Sequence, residues 1–370
     1  MTNQERITVL VSVLVLSLII GSGRFLGRAD FSSSREAAFE LGAIKSQESE
    51  VSVKPFDPAE LGWELVAASS SWPARDSHAA AVFNGKMWLV GGLNGNNLSF
   101  SNGQVPYADA EYFNDIWYSE DGSTWIEALR RAPWHPERSQ QLAVFQGKMW
   151  LIGGWGPEGG YAKEIWASED GIHWNFIIPE GGIPELEGHE LIVFHDRLWL
   201  FGGVRYSDRT LVNEIWSSED GIRWERAVKS APWHPRWDYA LAEFKGFLWL
   251  TGGMDLAGNE FNDIWRSEDG IQWERVSGEA PWAPRQGHAA LVYKDRLWLV
   301  GRFDDSTDGG VNDVWFTEDG ISWQKTKFDP AWRGREDHKV LLFNDRLWLF
   351  GGMTSDWRWS NEVWRSRFPE

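Results

Sequence analysis

Two residue types recur at matched places along this 370-residue chain and carry most of its capacity for chemistry. Arg75, Arg236, Arg285 and Arg335 each stand eight residues before the aromatic that ends an apolar run, and Arg138 lies one step out of that register. Glu137 and Leu186 fill the two remaining places. Three residues further on come His78, His189, His288 and His338, with Gln140 and Tyr239 in the other two repeats. Guanidinium forks bind carboxylates bidentately and imidazoles donate or accept, so these side chains gathered at one opening would hold an anionic or polyhydroxylated ligand. The same residues also serve structure if each arginine pairs with the neighbouring Asp76, Asp238 or Asp337 and each histidine satisfies buried backbone. Both readings stay open at this point.

Two departures from the pattern add candidates. Arg302 replaces the second glycine of a Gly-Gly pair, and Glu243 stands where other repeats have Val82, Val144, Val193, Val292 and Leu342. An ionised carboxylate in an apolar strand is costly unless paired, so Glu243 is expected to have a raised pKa or a salt-bridge partner. With His288 or His338 it would supply a base and an acid. Trp237 and Asp238, beside Arg236, complete the candidate ligand set.

The elements that position these residues follow from a period. Trp-Leu pairs start at Trp88, Trp150, Trp199, Trp249, Trp298 and Trp348, at spacings of 62, 49, 50, 49 and 50. A repeat near 50 residues means stacked identical units. Within one unit, Leu191 to Phe194, the two-residue turn His195-Asp196 and Leu198 to Phe201 read as a hairpin. Asn213 to Ser217 and Trp224 to Ala227 flank a second turn, Ser218-Glu219-Asp220-Gly221. Each unit is therefore a four-stranded antiparallel sheet, and such sheets bury both faces by radial stacking into a propeller. The last unit lacks a fourth strand, whereas Trp63 to Ala67 is a fourth strand without a unit. That predicts an all-β, six-bladed propeller over residues 58–370, closed by the N-terminal strand.

The apolar strand, tight turn, Trp-Leu-x-Gly-Gly and later Asn-Asp-x-Trp resemble kelch repeats over residues 58–370, which implies the kelch-type propeller fold. The Ser-x-Asp-Gly-x-x-Trp turns are similar to the Asp-box of sialidases, one residue shorter between Asp and Gly, which implies a structural hairpin. Galactose oxidases share the kelch fold but depend on copper and a Tyr-Cys crosslink. This chain has no cysteine, so that chemistry is excluded as the family runs it. In blade number, size and export signal the layout is similar to the periplasmic sialic acid mutarotases, which implies an alternative sugar mutarotase or epimerase activity.

Of 27 tryptophans, 23 occupy repeat positions and belong to the core; Trp155, Trp237, Trp357 and Trp359 do not, and are candidates for ligand contact. The formal net charge of −18 with no basic cluster excludes nucleic acid as a natural partner. No Gly-x-Ser-x-Gly elbow, His-Glu-x-x-His run, phosphate loop or dinucleotide fingerprint announces catalysis, and no metal or other cofactor is expected. Ile7 to Ile20 is a 14-residue apolar run, short for a ~30 Å hydrocarbon layer, followed by the small residues Gly21-Ser22-Gly23. Residues 1–23 therefore read as a signal peptide or, extended through residues 7–26, a membrane anchor; residues 24–57 read as a polar linker. The propeller is expected outside the cytoplasm as a monomer.

One face of such a propeller carries short, repetitive turns. The other carries long, varied loops, and binding residues ride on loops held by a rigid frame. The sequence thus predicts a non-catalytic propeller that binds a glycan or protein ligand on an Arg/His-lined long-loop face.

Overall fold

The computed structural model describes residues 56–98, 106–158, 160–161, 164–205, 207–303 and 312–368. The proposed signal or anchor, and all but the last two residues of the linker, lie outside the described residues. Among the described residues no helix is long and apolar enough to cross a membrane.

The unit beginning at Lys54 is an all-β propeller. Its first principal sheet runs Ala79–Phe83, Lys86–Asn94, Glu111–Ser119 and Ile126–Leu129, each strand antiparallel to the next. Five further sheets repeat the order, with innermost strands Gln141–Phe145, Glu190–Phe194, Ala240–Phe244, Ala289–Tyr293 and Lys339–Phe343. Each innermost strand touches that of the next sheet, and Lys339–Phe343 touches Ala79–Phe83.

The hairpins form because both central residues adopt positive φ, as in His195 (48°) and Asp196 (55°), or Asn84 (49°) and Gly85 (71°). That conformation matches the right-handed twist of the flanking strands. Behind each hairpin the Trp of the second strand donates its indole N–H to the carbonyl of the aromatic ending the first: Trp88 to Phe83 at 3.0 Å, Trp249 to Phe244 at 3.0 Å.

The Asp-Gly turns join neighbouring sheets. In the turn at Gly320 the Thr317 hydroxyl accepts from the glycine N–H at 2.9 Å, and Asp319 accepts from Ile321 and Ser322. The glycine (φ +77°) lies flat on Trp249 of the preceding sheet, where a Cβ would come 2.1 Å from the ring. Gly122, Gly171, Gly221 and Gly270 sit likewise on Trp348, Trp88, Trp150 and Trp199.

The sixth sheet has no such turn. Its outer strand is Gly62–Ala67, paired with Val363–Arg367 in the register Trp63 with Ser366 and Leu65 with Trp364. Arg365 and Glu64 form an ion pair across this seam. Phe56 and Phe368 meet edge-on at 4.6 Å and pack on the cluster that contains Tyr293 and Trp298.

Candidate functional site

The four in-register arginines do not reach an opening. Arg75, Arg236, Arg285 and Arg335 are 0, 1, 0 and 0% exposed, and each guanidinium is closed within its own sheet. Arg285 donates from Nη1 and Nη2 to Asp313 at 2.8 and 3.1 Å, from Nη1 to the Gly301 carbonyl at 3.0 Å and from Nε to Ala283 at 3.3 Å. Arg75 and Arg236 clasp Asp115 and Asp263 in the same way, and Arg335 holds Glu362 at 2.7 Å. Each carboxylate also accepts the indole N–H two residues on, as Asp313 does from Trp315 at 2.7 Å. Burial alone would push the Asp313 carboxyl up, but Arg285 and these donors hold it below its usual range. The arginines are thus corrected from ligand groups to frame. Their partner is the acid of Asn-Asp-x-Trp and not the neighbouring Asp76, Asp238 or Asp337.

The histidines are corrected too. His78, His189, His288 and His338 are buried, each against the glycine that ends the second strand of the preceding sheet: a Cβ on Gly351, Gly153, Gly252 or Gly301 would lie 2.4, 2.4, 2.6 or 2.5 Å from the imidazole Cε1. In the fourth sheet Tyr239 takes this place and donates to the Phe201 carbonyl at 2.8 Å. Burial pushes the imidazoles down, His189 to about 4 and His338 to about 3, so they are neutral spacers between sheets. Glu243 is exposed, because its strand position faces water: Val144 and Leu342 there are 37 and 42% exposed. It lies four residues beyond the level of the histidines, roughly 13 Å along the strand. Glu243, His288 and His338 therefore form no acid–base group.

The residue after each arginine position varies: Asp76, Arg138, Glu187, Trp237, Gln286 and Glu336, of which Asp76 and Glu187 are buried. Two neighbouring pairs are linked. Arg138 pairs with Glu187, and Gln286 donates to Glu336 at 2.8 Å. Glu137 occupies the arginine slot of the second sheet, so Arg138 is released to the mouth, where its guanidinium lies 4.3 Å from the Tyr107 ring centre and 5.4 Å from Trp155. Of the five arginines in or near register, Arg138 alone stays a ligand candidate by position. Arg302 lies on the rim, with Nε donating to the Pro284 carbonyl at 2.9 Å and Nη2 3.9 Å from Glu260.

One residue deeper the chain narrows to a ring of positive-φ positions, Ser77 (49°), Ser139 (57°), Gly188 (60°), Asp238 (50°), Gly287 (58°) and Asp337 (54°). Backbone hydrogen bonds run round it from Ser139 to Ser77 (2.8 Å), Ser77 to Asp337 (3.2 Å), Asp337 to Gly287 (2.9 Å) and Gly287 to Asp238 (2.8 Å). Below lies a throat of about 40 Å³ lined by Asp238, Asp337, Glu190, Lys339, Gln141 and the edges of His288 and His338. On the same face a groove of about 880 Å³ runs beside the first two sheets past Tyr112, Phe113, Trp117, Trp134, Arg130 and Arg131.

The mouth is acidic, not basic. Six carboxyls, Asp76, Glu187, Glu190, Asp238, Glu336 and Asp337, face Arg138 and Lys339. Burial, then Asp337, pushes Asp76 up to about 8; burial pushes Glu190 up to about 7, with Lys339 opposing. Asp238 and Glu336 are raised well above the usual range by burial and by Asp337. Among the described residues no three His, Asp or Glu side chains are placed to share a metal ion. The sequence contained these acids as the residues beside the arginines and histidines. The off-period tryptophans divide: Trp155 and Trp237 border the mouth, whereas Trp359 is buried and staples two loops through Asn96, with hydrogen bonds of 3.0 Å in both directions. Trp357 packs on Phe303 at 5.2 Å. Tyr107 and Tyr112, from the long loop after Leu93, were not among the sequence candidates.

A family model described as the DUF6242 beta propeller domain matches residues 247–369. The solved structure of YjhT is similar, with a TM-score of 0.62 and 15% identity, over 80% of this chain and 96% of that chain. The chain is a β-propeller. No curated protein sequence is significantly similar to it. At 15% identity the likeness of the propeller to YjhT concerns the fold.

Proposed function

We propose that this is an exported, six-bladed binding propeller, its last blade completed by the N-terminal strand, which takes a glycan at the long-loop mouth and performs no chemistry on it. The observation that carries the reading is internal to the repeats. Frame positions are repeated, since arginine returns four times and histidine four times, whereas the position after each arginine place holds a different residue in almost every repeat and stands directly before a residue that lines the throat. A site that the scaffold leaves free to vary around one mouth is where binding would be built. Carboxylates at Asp76, Glu187, Asp238 and Glu336 suit sugar hydroxyl donors, the rings of Trp237, Trp155 and Tyr107 suit sugar faces, and the adjoining groove of about 880 Å³ has room for several residues of a chain.

A glycan array followed by calorimetry on the purified protein tests this. Binding should be found and should fall at least tenfold in Trp237→Ala and in Glu336→Gln, both without loss of folding. Binding that ignores both substitutions, or no glycan bound at all, would refute it.

Sugar mutarotation is the second reading, favoured by Asp76 at about 8 and Glu190 at about 7, carboxyls that titrate near neutrality as general acids and bases must. The throat that Glu190 lines, at about 40 Å³, is too small for a sugar ring, which is why binding is preferred. Two-dimensional exchange NMR with neutral and acidic sugars decides it. Acceleration of anomer exchange that Glu190→Gln removes would establish the second reading.

A further inference from the structure

The second sheet departs from the lock that the other sheets keep. In four sheets a guanidinium sits in one cage of acceptors. Arg285 donates to the carbonyl two residues before it, to the glycine carbonyl sixteen residues on and to the acid two places before the third-strand tryptophan. Arg75, Arg236 and Arg335 do the same. In the third sheet Leu186 takes the slot, and the acid Glu214 is met instead by Arg226 at 3.4 Å and Arg205 at 3.8 Å. The second sheet has the acceptors without a side-chain cation. Glu137 fills the slot, 4% exposed, and the charged group that acts on it is another carboxylate, Glu164. Among the described residues neither acid pairs with a cation, and Glu137 accepts no hydrogen bond.

The Glu137 side chain is aimed into this cage. Its Oε2 lies 2.9 Å from where a Cβ on Gly154 would stand, as the Cδ of Arg236 lies 3.1 Å from that place on Gly253, so the carboxylate follows the path of the sister arginine. By the same correspondence the carbonyls of His135 and Gly153 are the counterparts of those of Ala283 and Gly301. Buried carboxylates ordinarily meet a donor, a cationic side chain or a metal ion, and the sister cages show the sign of the occupant: each holds a positive charge. Two carboxylates, two carbonyls and water supply the all-oxygen set of about 6–8 ligands that calcium takes, and the two acids balance its charge. Magnesium demands a near-ideal octahedron and sheds water reluctantly, which a cage shaped for a planar guanidinium does not suit. Glu164 is half-buried, so an ion can enter.

We propose that the second sheet binds a calcium ion between Glu137, Glu164 and the carbonyls of His135 and Gly153, in the place where its sisters carry an arginine. The ion ties the segment that bears Arg138 to the third strand of its sheet, as the guanidinium does elsewhere. The inference stands apart from the glycan reading, since neither carboxylate is assigned to the sugar.

The test uses the full-length protein, stripped of divalent ions with EDTA and dialysed. Calorimetric titration with calcium chloride should show one ion per chain, and calcium at a hundred times its dissociation constant should raise the melting temperature by roughly 3–5 °C. Glu137→Arg rebuilds the Arg335–Glu362 pair of the sixth sheet with Glu164 as the acceptor, so it should melt at or above the calcium-loaded wild type and bind no calcium. Glu137→Gln keeps the shape and offers the carbonyls a donor; it should fold and bind calcium at least tenfold more weakly. Wild-type protein that binds no calcium overturns the proposal, and a loss of stability in Lys163→Ala would then name an internal ammonium as the partner of these acids. Calcium binding undiminished in either folded variant places the ion elsewhere and overturns it too. A melting shift given equally by magnesium or potassium overturns calcium as the occupant.

Discussion

Replacing Arg285 by alanine separates a frame residue from a ligand residue. The side chain makes two bonds to Asp313, one to Gly301 and one to Ala283, all in the interior. Its removal leaves the Asp313 carboxylate buried with one remaining side-chain donor, Trp315, and leaves the Gly301 carbonyl short of one as well. Breaking a buried pair from one side costs about 3–5 kcal/mol, a large share of the roughly 5–15 kcal/mol that holds a domain folded. Arg285→Ala should therefore lower the urea midpoint sharply when unfolding is followed by tryptophan fluorescence. Arg285→Met with Asp313→Asn removes both charges and keeps an acceptor for Trp315, so it should recover most of the loss. The pair also predicts a pH signature. The Asp313 pKa is depressed on folding, so its contribution is present above the unfolded value near 3.9 and is lost as pH falls through the lower folded value. The doubly neutral protein should lack that share of the acid sensitivity. A cost below about 1 kcal/mol for Arg285→Ala, with ligand binding abolished, would refute the frame assignment and restore the arginine to the site.

Three further outcomes follow from other features. Deleting residues 56–68 removes the outer strand of the sixth sheet and exposes the apolar edge at Trp364, so the product should aggregate or melt far lower; unchanged thermal unfolding would contradict the seam. Gly320→Ala, whose Cβ would stand 2.1 Å from Trp249 at a φ of +77°, should cost about 1–3 kcal/mol in chemical denaturation, more than Gly85→Ala, which meets nothing within 4 Å. The throat acids act oppositely to Asp313: Asp76 and Glu190 ionise near 4 in the unfolded chain but hold protons up to about 8 and about 7 when folded. Folding then takes up protons, so stability should fall as pH rises from about 4 to about 8, and Asp238→Asn/Asp337→Asn should flatten the decline.

The frame was legible because it is repetitive. The Trp-Leu period, the two-residue turns and the match of Trp63-Glu64 to Trp224-Glu225 each specified an element by local chemistry, and the seam forms where that match placed it. The site was not legible for a reason that Arg75 illustrates. A guanidinium fork offers the same geometry to a ligand carboxylate and to Asp115, and Asp115 lies 40 residues away on another strand. The recurrence of an acid two residues before each third-strand tryptophan was the available signal. In the second sheet, where Glu137 replaces the arginine, burial first and then Glu164 push Glu137 up to about 8. Glu243 misled because strand periodicity does not say which end of a channel is open to water.

The seam has a topological consequence. Since Phe56 and Phe368 touch, the first and last described residues of the propeller are neighbours, and the polypeptide is in effect a circle with one cut in it. The position of that cut is incidental to the contacts: every neighbouring pair of sheets is joined through the chain, and within this sheet the outer strand is held by hydrogen bonds, the Arg365–Glu64 pair and the Phe56–Phe368 contact, with no covalent link to Val363–Arg367. A linker from Phe368 to Phe56 would allow the ends to be moved to an exposed hairpin of another sheet, such as Asn84-Gly85, giving a permuted chain whose sixth sheet is covalently continuous and whose new opening falls in an innermost hairpin instead.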